Sequence, residues 1–422
     1  MAAVTDIDRR VPSPPSSLDV HPLVDWLLTE GWNITDPKDL IREFGRQMVT
    51  IGIPLYRLRV NIRILHPQFL GTTYTWVRGR ENVEEFMPPY EILTQDSYLT
   101  SPFAAIFEGA GGIRRRLDVP GEPLDYPILA DLRAEGATDY VAMPLVFSDG
   151  RINAVTIAAD RPGGFSSAEL GMINDMLPVF SRLLEVHALR RTTLTILETY
   201  LGRLAGARVL QGSIKRGDGE VIHAVIWFSD LRGSTRLADR LPRGDFLGLL
   251  NDYFEGMAGA VLDHEGEVLR FIGDAALAIF PIGTITDCPE RCPHHIRACK
   301  QAISAARDAA LRIATVNRRR EEAGSPLIRF GIGLHLGDVL YGNIGTLQRL
   351  EFSVIGAAAN EAARIEALCK QLHRPVLISE TVARVAPDGL TSCGVHALRG
   401  VGAPMEIFTL PQTATGDTPN SH

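Results

Sequence analysis

The sequence has no long apolar run and no surplus of basic residues, and each absence excludes a class of protein. No stretch approaches the ~20 consecutive apolar residues that a transmembrane helix requires. The first ten residues also lack the apolar core of a secretory signal. We therefore expect a cytoplasmic protein without a membrane span. A formal net charge of −7 argues against a nucleic-acid partner, because nucleic-acid binders normally carry a basic surplus.

Cysteine is also scarce, with five residues that all lie in the last third of the chain. An odd number argues against a disulfide framework and predicts reduced thiols. Four side chains with metal-binding chemistry cluster at Cys288, Cys292, His294 and His295, which raises the possibility of a structural zinc ion. Their spacing fits no common closed Cys/His site, so we favour a surface loop, and the residues leave both interpretations open.

The length of 422 residues suggests two or three domains of ~100–200 residues each. The polar composition of residues 1–20 and 411–422 predicts disordered ends. Between these ends, the pattern indicates an N-terminal domain over residues 21–188. A linker over 189–220, helical and then glycine-rich, leads to a second domain over 221–410.

The N-terminal domain mixes strand and helix patterns. Leu58–Ile64 alternates apolar and charged residues, and Tyr140–Phe147 with Ile152–Ala159 predicts a hairpin. A long amphipathic helix follows over Ser166–Arg191, with Ser166 or Ser167 as its N-cap. This order resembles the end of a GAF sensor domain, and a PAS-like α/β fold is an alternative. A scaffold without a ligand stays open as well.

The first chemical motif is Phe228-Ser229-Asp230, at the end of a strand-like segment. A carboxylate in this position can hold a hard cation with little reorganisation. The next residues lead into a short helix, whose free N–H groups and dipole favour an anion. On its own, the pattern is better explained as an ordinary strand followed by a capped helix. The candidate phosphate-binding residues are Leu231, Arg232, Gly233, Ser234 and Thr235.

A second acid, Asp274, follows Gly273 in a predicted tight turn between the strands Glu267–Ile272 and Ala275–Phe280. An aspartate in a hairpin turn is common. Two acids at strand ends, one of them beside an anion-binding turn, are nevertheless what a two-metal phosphoryl-transfer site requires.

A third motif is a strand ending at Gly356 and a helix over Ala357–Cys369. Asn360 and Arg364 are four residues apart and share one face of this helix. The planar fork of an arginine suits the charge that develops on a phosphate, and an asparagine can fix a ribose. If the helix stood alone, a solvated arginine and a locally packed asparagine would explain the pattern better.

Together the motifs resemble the catalytic domain of class III adenylyl/guanylyl cyclases, over about residues 220–410. The resemblance implies an α+β fold of the ferredoxin-like, palm type, which pairs head to tail with a second copy. The segments that carry it, in the family's order and spacing, are Phe228-Ser229-Asp230, Arg270 to Asp274, Phe330 to Gly337, and Val354 through Asn360 to Arg364.

The resemblance also implies a role for each motif. Asp230 and Asp274 would bind two Mg²⁺ or Mn²⁺ ions. Asn360 and Arg364 of the other subunit in a homodimer would hold the ribose and stabilise the transition state. Arg399 lies where many members have a lysine near the terminal phosphates. The implied reaction converts ATP to 3′,5′-cyclic AMP and pyrophosphate, regulated by a small-molecule or protein signal at the N-terminal domain.

Two residues depart from the family pattern. Arg270 stands where adenylyl members usually have lysine and guanylyl members glutamate, and Ser353 stands where adenylyl members often have aspartate or threonine. Because arginine only donates hydrogen bonds, it favours ATP without excluding GTP. A non-catalytic nucleotide-binding module or heterodimer partner is the alternative function. The Gly-Gly-Asp/Glu-Glu-Phe signature of diguanylate cyclases does not occur in this sequence.

Overall fold

The computed structural model describes residues 22–283 and 292–411. It divides into two compact units, Met1–Ile196 and Leu197–His422. Every helix in the described ranges is too short or too polar to cross a membrane.

The first unit is built on a six-stranded antiparallel sheet with the order β3-β2-β1-β6-β5-β4. Its strands are β1 (Leu55–Arg63), β2 (Gly71–Val77), β3 (Glu84–Phe86), β4 (Ile113–Arg116), β5 (Asp139–Val146) and β6 (Ile152–Ala159). Its helices are α1 (Pro22–Thr29), α2 (Pro37–Thr50), α3 (Asp96–Leu99), α4 (Pro102–Phe107), α5 (Pro127–Ala134) and α6 (Ser167–Leu201), with 3₁₀ turns at Gly31–Asn33 and Tyr90–Thr94.

Both faces of this sheet are covered. The apolar residues of β1 pack with α1, α2 and α6 in the main core, where the rings of Phe44 and Phe180 stack with centroids 4.0 Å apart. A smaller core on the other face includes Tyr140 and Leu129 and lies under α4 and α5. The alternation predicted for β1 is confirmed, and its charged side faces this second layer.

The long exit helix begins with the cap that the sequence predicts. The main-chain N–H of Ser166 donates to Glu169 Oε2 at 2.7 Å, and the N–H of Glu169 donates back to Ser166 Oγ at 3.2 Å. This reciprocal pair is a capping box. The helix ends at Leu201 because Gly202 adopts a φ of 89°, a left-handed conformation that glycine tolerates and other residues rarely adopt.

The second unit contains an eight-stranded sheet with the order β13-β14-β12-β10-β7-β9-β8, and β11 pairs with the end of β10. Its strands are β7 (Gly219–Leu231), β8 (Glu267–Ile272), β9 (Ala275–Gly283), β10 (Phe330–Gly345), β11 (Leu350–Ile355), β12 (Val376–Ser379), β13 (Thr391–His396) and β14 (Met405–Thr409). Its helices are α7 (Arg203–Leu210), α8 (Ser234–Arg240), α9 (Arg243–Asp263), α10 (Pro293–Glu322), α11 (Ala357–Leu372) and α12 (Glu380–Val385).

The centre of this sheet has the ferredoxin-like βαββαβ arrangement. Strands β7, β8, β9 and β10 alternate with α9 and α10 and lie side by side in the order β10-β7-β9-β8, all antiparallel. Helices α9 and α10 cover one face around Trp227 and Tyr253. Helix α11 covers the other face through Ala358 and Ala362.

Glycines in β10 let α11 approach the sheet closely. A Cβ at Gly333 would lie 2.4 Å from the main-chain oxygen of Ala362, and one at Gly337 would lie 2.7 Å from the Cβ of Ala358. Both distances are far inside van der Waals contact, so only glycine fits. The glycine-rich segment over residues 331–337 is therefore a packing surface in a strand, which sets the position of α11.

One expectation about the cysteines is wrong. Cys299, Cys369 and Cys393 are free thiols, as predicted. Cys292 is disulfide-bonded instead of reduced. An odd number of cysteines excludes complete pairing, but it does not exclude a single bridge.

Candidate active site

Asp230 and Asp274 come together because their strands are neighbours. Asp230 lies near the end of β7, directly opposite Ala275, the first residue of β9. Asp274 precedes Ala275 in the turn from β8, where Gly273 has a φ of 65°. The N–H of Leu231 donates to the main-chain oxygen of Asp274 at 3.3 Å, which fixes the turn against the strand.

The two carboxylates affect each other strongly. Partial burial, and then the charge of Asp274 together with a hydrogen bond to it, raises the pKa of Asp230 to about 6. Arg232 opposes this shift without cancelling it. The pair is thus a concentration of negative charge that the surrounding protein does not fully neutralise, and a cation would stabilise it.

A third acid near this pair, Glu366, was not identified from the sequence. It lies on the buried side of α11, and Arg232 Nη2 is 2.5 Å from its Oε1 and 2.9 Å from its main-chain oxygen. Burial raises the pKa of Glu366 to about 7, the charge of Arg232 opposes this, and Asp230 and Asp274 add to it. A charged residue on the otherwise apolar face of α11, four positions after Ala362, was the signal that could have revealed it.

The candidate phosphate turn has the predicted local structure. Gly233 is the N-cap of α8, with a left-handed φ of 74°, and no side chain caps this helix. Ser234 and Thr235 open the helix, and Leu231 is buried beneath them in the core. Arg232, one of the predicted phosphate ligands, has its side chain engaged by Glu366. The turn therefore offers main-chain N–H groups to a ligand rather than this guanidinium.

Asn360 and Arg364 lie together on the exposed side of α11, opposite its alanine-lined buried side. Within the part of the chain that the structure describes, neither side chain takes part in a hydrogen bond or an ion pair. Both are held in place only through their helix. Two close ties position that helix: the Arg232–Glu366 pair, and a 2.7 Å contact between His335 Nε2 of β10 and Glu361 Oε2.

The candidate base-reading residues lie on two strands that approach each other. Arg270 of β8 forms an ion pair with Glu351 of β11, with Nη1 and Oε1 2.8 Å apart. Ser353 lies two residues after Glu351, on the same side of that strand. Arg270 Nε and Ser353 Oγ are buried and have no hydrogen-bond partner among the described residues. Buried polar atoms without a partner are suited to hydrogen-bond a ligand that has complementary donors and acceptors.

Two further candidates lie elsewhere. Arg399 is exposed in the loop between β13 and β14. Strands β12 and β10 lie between β14 and β7, which ends at the paired acids. In the cysteine and histidine cluster, Cys292 Sγ is 3.1 Å from His295 Nδ1, and Cys288 lies outside the described residues. Within residues 22–283 and 292–411, no group of three or more acid, histidine or cysteine side chains is arranged to hold a metal ion.

The donors at Asp230 and Asp274 fit hard divalent cations. Carboxylate oxygens are the ligands that Mg²⁺ and Mn²⁺ prefer, and Mg²⁺ is usually bound by one or two carboxylates together with water and substrate phosphates. The strand register, with Asp230 opposite the residue after Asp274, places the two acids close enough to share such a charge. No described cysteine or histidine competes for a softer metal at this position.

Known proteins are similar to the part of this chain that contains Asp230 and Asp274. Residues 220–408 match the family described as the adenylate and guanylate cyclase catalytic domain. "Uncharacterized protein Rv1320c" of Mycobacterium tuberculosis is 32% identical over 224 residues, which cover 53% of this chain and 36% of that protein. "Uncharacterized protein Rv1319c" of the same organism is 35% identical over 170 residues, covering 40% of this chain and 29% of that protein. The chain thus spans about a third of the length of these curated relatives.

Solved structures of cyclases are also similar to part of the chain. A bacterial light-regulated adenylyl cyclase is 27% identical with a TM-score of 0.38, and covers 45% of this chain and 91% of its own. The guanylyl cyclase Cya2 is 27% identical with a TM-score of 0.38, covering 47% of this chain and 97% of its own. The adenylyl cyclase CyaB from P. aeruginosa is 22% identical with a TM-score of 0.38, covering 47% and 98%.

Because their TM-scores lie below 0.5, those structures do not identify the domain. Its family follows from the match over residues 220–408 and from the residues in that segment. The matched segment contains the paired acids of β7 and the β8–β9 turn, the glycines of β10, and the exposed pair on α11. The chain therefore carries an adenylate and guanylate cyclase catalytic domain over residues 220–408.

Proposed function

We propose that the second unit converts ATP to 3′,5′-cyclic AMP and pyrophosphate, with two Mg²⁺ or Mn²⁺ ions held by Asp230 and Asp274. The observation that carries this proposal is the placement of the two carboxylates, since Asp230 lies directly opposite Ala275, the residue that follows Asp274. Burial, and then the charge of Asp274, raises the pKa of Asp230 to about 6. When bound, the metal ions would lower the pKa of the attacking 3′-hydroxyl and offset the charge of the phosphates.

The residues of this chain supply binding and orientation. The uncapped N-terminus of α8 offers main-chain N–H groups to the phosphates of the nucleotide. Asn360 is a donor and acceptor for the ribose, and Arg364 can stabilise charge as it develops on the α-phosphate. Arg399 is proposed to contact the terminal phosphates. Glu366 touches no nucleotide group in this scheme and acts through Arg232 as a positioning residue.

The proposal requires a homodimer with its active sites at the interface. Asn360 and Arg364 point away from their own core, so a second copy of the chain can bring them to the acids of its partner. Exposed apolar side chains near these elements support such a surface, because large apolar side chains are more often buried. They include Phe271, Ile272 and Ile355, which are 52%, 43% and 50% exposed.

We expect the purified protein to form cyclic AMP from ATP more efficiently than cyclic GMP from GTP. Arg270 can donate to adenine N1, and the Ser353 hydroxyl can accept from the exocyclic amine. Measuring kcat/KM for both nucleotides with Mg²⁺ and with Mn²⁺ tests this. A higher efficiency with GTP would overturn the base assignment while leaving the cyclase assignment intact.

One observation favours a second candidate, a nucleotide-binding module without turnover. Glu351 Oε1 lies 2.8 Å from Arg270 Nη1. A nucleotide would have to displace Glu351 from Arg270 or bind while this ion pair stays intact. Binding of ATP without cyclic nucleotide or pyrophosphate, both in the full chain and in a fragment starting at Leu197, would support this reading. Product from either protein would exclude it.

Metal binding is expected to depend on pH in a defined way. The folded-state pKa of Asp230 is raised to about 6, so a proton occupies the pair below that pH and competes with the metal. The apparent Mn²⁺ affinity should therefore fall by about tenfold per pH unit below the break and level off above it. Without metal, the free energy of unfolding should decrease as pH rises from ~4 to 6. In this range native Asp230 still holds a proton that it has already released in the unfolded chain.

Calorimetric titration with Mn²⁺ between about pH 5 and 8 measures this dependence. Asp239→Asn is a matched control, because Asp239 is an exposed acid on α8 that belongs to no described ion pair. It should leave the break unchanged. An affinity that is flat across this range would show that the two acids do not bind the metal as a coupled pair.

We further propose that residues 22–196 form a sensor unit of GAF or PAS type that regulates the cyclase. The complete antiparallel sheet, with the long helix following its last hairpin, supports this interpretation. The activity of the full chain compared with that of the fragment starting at Leu197 gives the sign of the regulation. Equal activities under all tested signals would remove the sensor proposal.

A further inference from the structure

A cavity of about 340 Å³ lies in the first unit, between the sheet and the segment that runs from the 3₁₀ turn at Tyr90–Thr94 to α5. Its floor is the charged side of β1, where Arg57, Arg59 and Asn61 alternate with the buried apolar residues of the main core. Its walls carry aromatic rings. The aromatic residues are Phe86, Tyr98, Phe103, Phe107 and Tyr140.

The two arginines on this floor are not neutralised by the protein. The Nε atoms of Arg57 and Arg59 are buried and lack a hydrogen-bond partner. Among the described residues, no carboxylate lies within ion-pair distance of either guanidinium. Asp131 also lines the cavity, but it is exposed and forms no described ion pair.

The local environment makes this arrangement of two like charges unfavourable. Burial, followed by the charge of Arg57, lowers the pKa of Arg59. The main compensation is the ring of Phe103, with the guanidinium carbon of Arg59 5.4 Å from its centroid. Two like charges at the bottom of an apolar cavity cost stability unless an anion accompanies them. Asn61, on the same side of β1, is neutral and donates to Thr73 Oγ1 at 2.7 Å, so it does not balance this charge.

We propose that this cavity binds a small organic anion, whose carboxylate or phosphate group pairs with Arg57 and Arg59 and whose apolar or aromatic body packs against the surrounding rings. Arginine suits this role because its planar fork can bind either group through two hydrogen bonds. The size of the cavity limits the ligand to a small molecule. This inference does not depend on the cyclase proposal, since it concerns binding to the first unit alone.

The test uses the full chain and probes that differ only in charge. We expect 2-naphthoate or 2-naphthyl phosphate to bind at least about tenfold more tightly than the uncharged 2-naphthamide, measured by calorimetry. The two anionic probes distinguish a carboxylate ligand from a phosphate ligand. Equal binding of the anions and the amide, or no binding of either anion, would overturn the proposal.

Variants separate a binding role from a structural role. Arg59→Met should weaken binding of the preferred anion at least about tenfold. The same variant should raise the melting temperature of the ligand-free protein, because it removes a partly buried charge that has no described ion-pair partner. An arginine needed for folding would instead lower the melting temperature when replaced.

Arg63→Met is the matched control, because Arg63 lies on the same side of β1 and contacts the ring of Phe107, but does not line the cavity. We expect it to bind the anion as the unmodified protein does. If Arg59→Met bound the anion normally, or if both variants lost binding equally, the assignment of this cavity would be wrong.

Discussion

Replacing Asp274 by asparagine should lower the rate of cyclic nucleotide formation on the order of 10³-fold while leaving the fold intact. The side chain keeps its shape, but the pair with Asp230 loses one of its two negative charges. Because repulsion from Asp274 contributes to the raised pKa of Asp230, the metal-free variant should be at least as stable as the unmodified protein. The loss of activity would then reflect chemistry rather than unfolding.

Two measurements make this prediction specific. The increase in melting temperature that Mn²⁺ gives the unmodified protein should disappear in Asp274→Asn, because ligand-induced stabilisation follows the affinity for the native state. Asp239→Asn should keep both the activity and the Mn²⁺ effect. Full activity in Asp274→Asn would contradict the two-metal proposal, whereas a lower melting temperature without metal would show that Asp274 has a structural role.

The position of the paired acids could be predicted because local sequence signals determine it. A buried strand ending at Asp230 and a Gly273-Asp274 turn are short-range patterns, and the pairing of β7 with β9 brings them together. The β1 pattern was equally clear, since Leu58, Val60 and Ile62 are all buried.

The partners of these residues could not be predicted in the same way. Glu366 and Glu351 contact Arg232 and Arg270 across 134 and 81 residues, respectively. Neither distance along the chain nor residue type signals such a contact. The alternation along β1 likewise indicates that its charged side faces solvent. Only the structure shows that α4 and α5 of the same unit cover it.

These unpredicted contacts position both groups of residues in the proposed active site. Arg232 follows Asp230 at the end of β7, and its guanidinium pairs with Glu366 on α11, so this ion pair links the paired acids to α11. The glycines of β10 allow this helix to lie close to the sheet. Asn360 and Arg364 are therefore presented outward, on the exposed side of α11, while Glu366 lies on its buried side.

If that outward presentation serves a second copy, two inactive variants should complement each other. Asp274→Asn and Arg364→Ala should each be nearly inactive. When they are mixed and allowed to exchange subunits, half of the dimers are mixed, and each mixed dimer has one site with both native residues. We expect about a quarter of the activity of the unmodified protein. An active site formed within a single chain would gain nothing from mixing.

The control for this experiment is a pair of variants on the same half of the site. Asp274→Asn mixed with Asp230→Asn should stay inactive, because every resulting site lacks one of the two acids. Subunit exchange is checked by giving each variant a different affinity tag and recovering mixed dimers. If mixed dimers form and the complementary pair still gives no product, Arg364 does not act in the partner's active site.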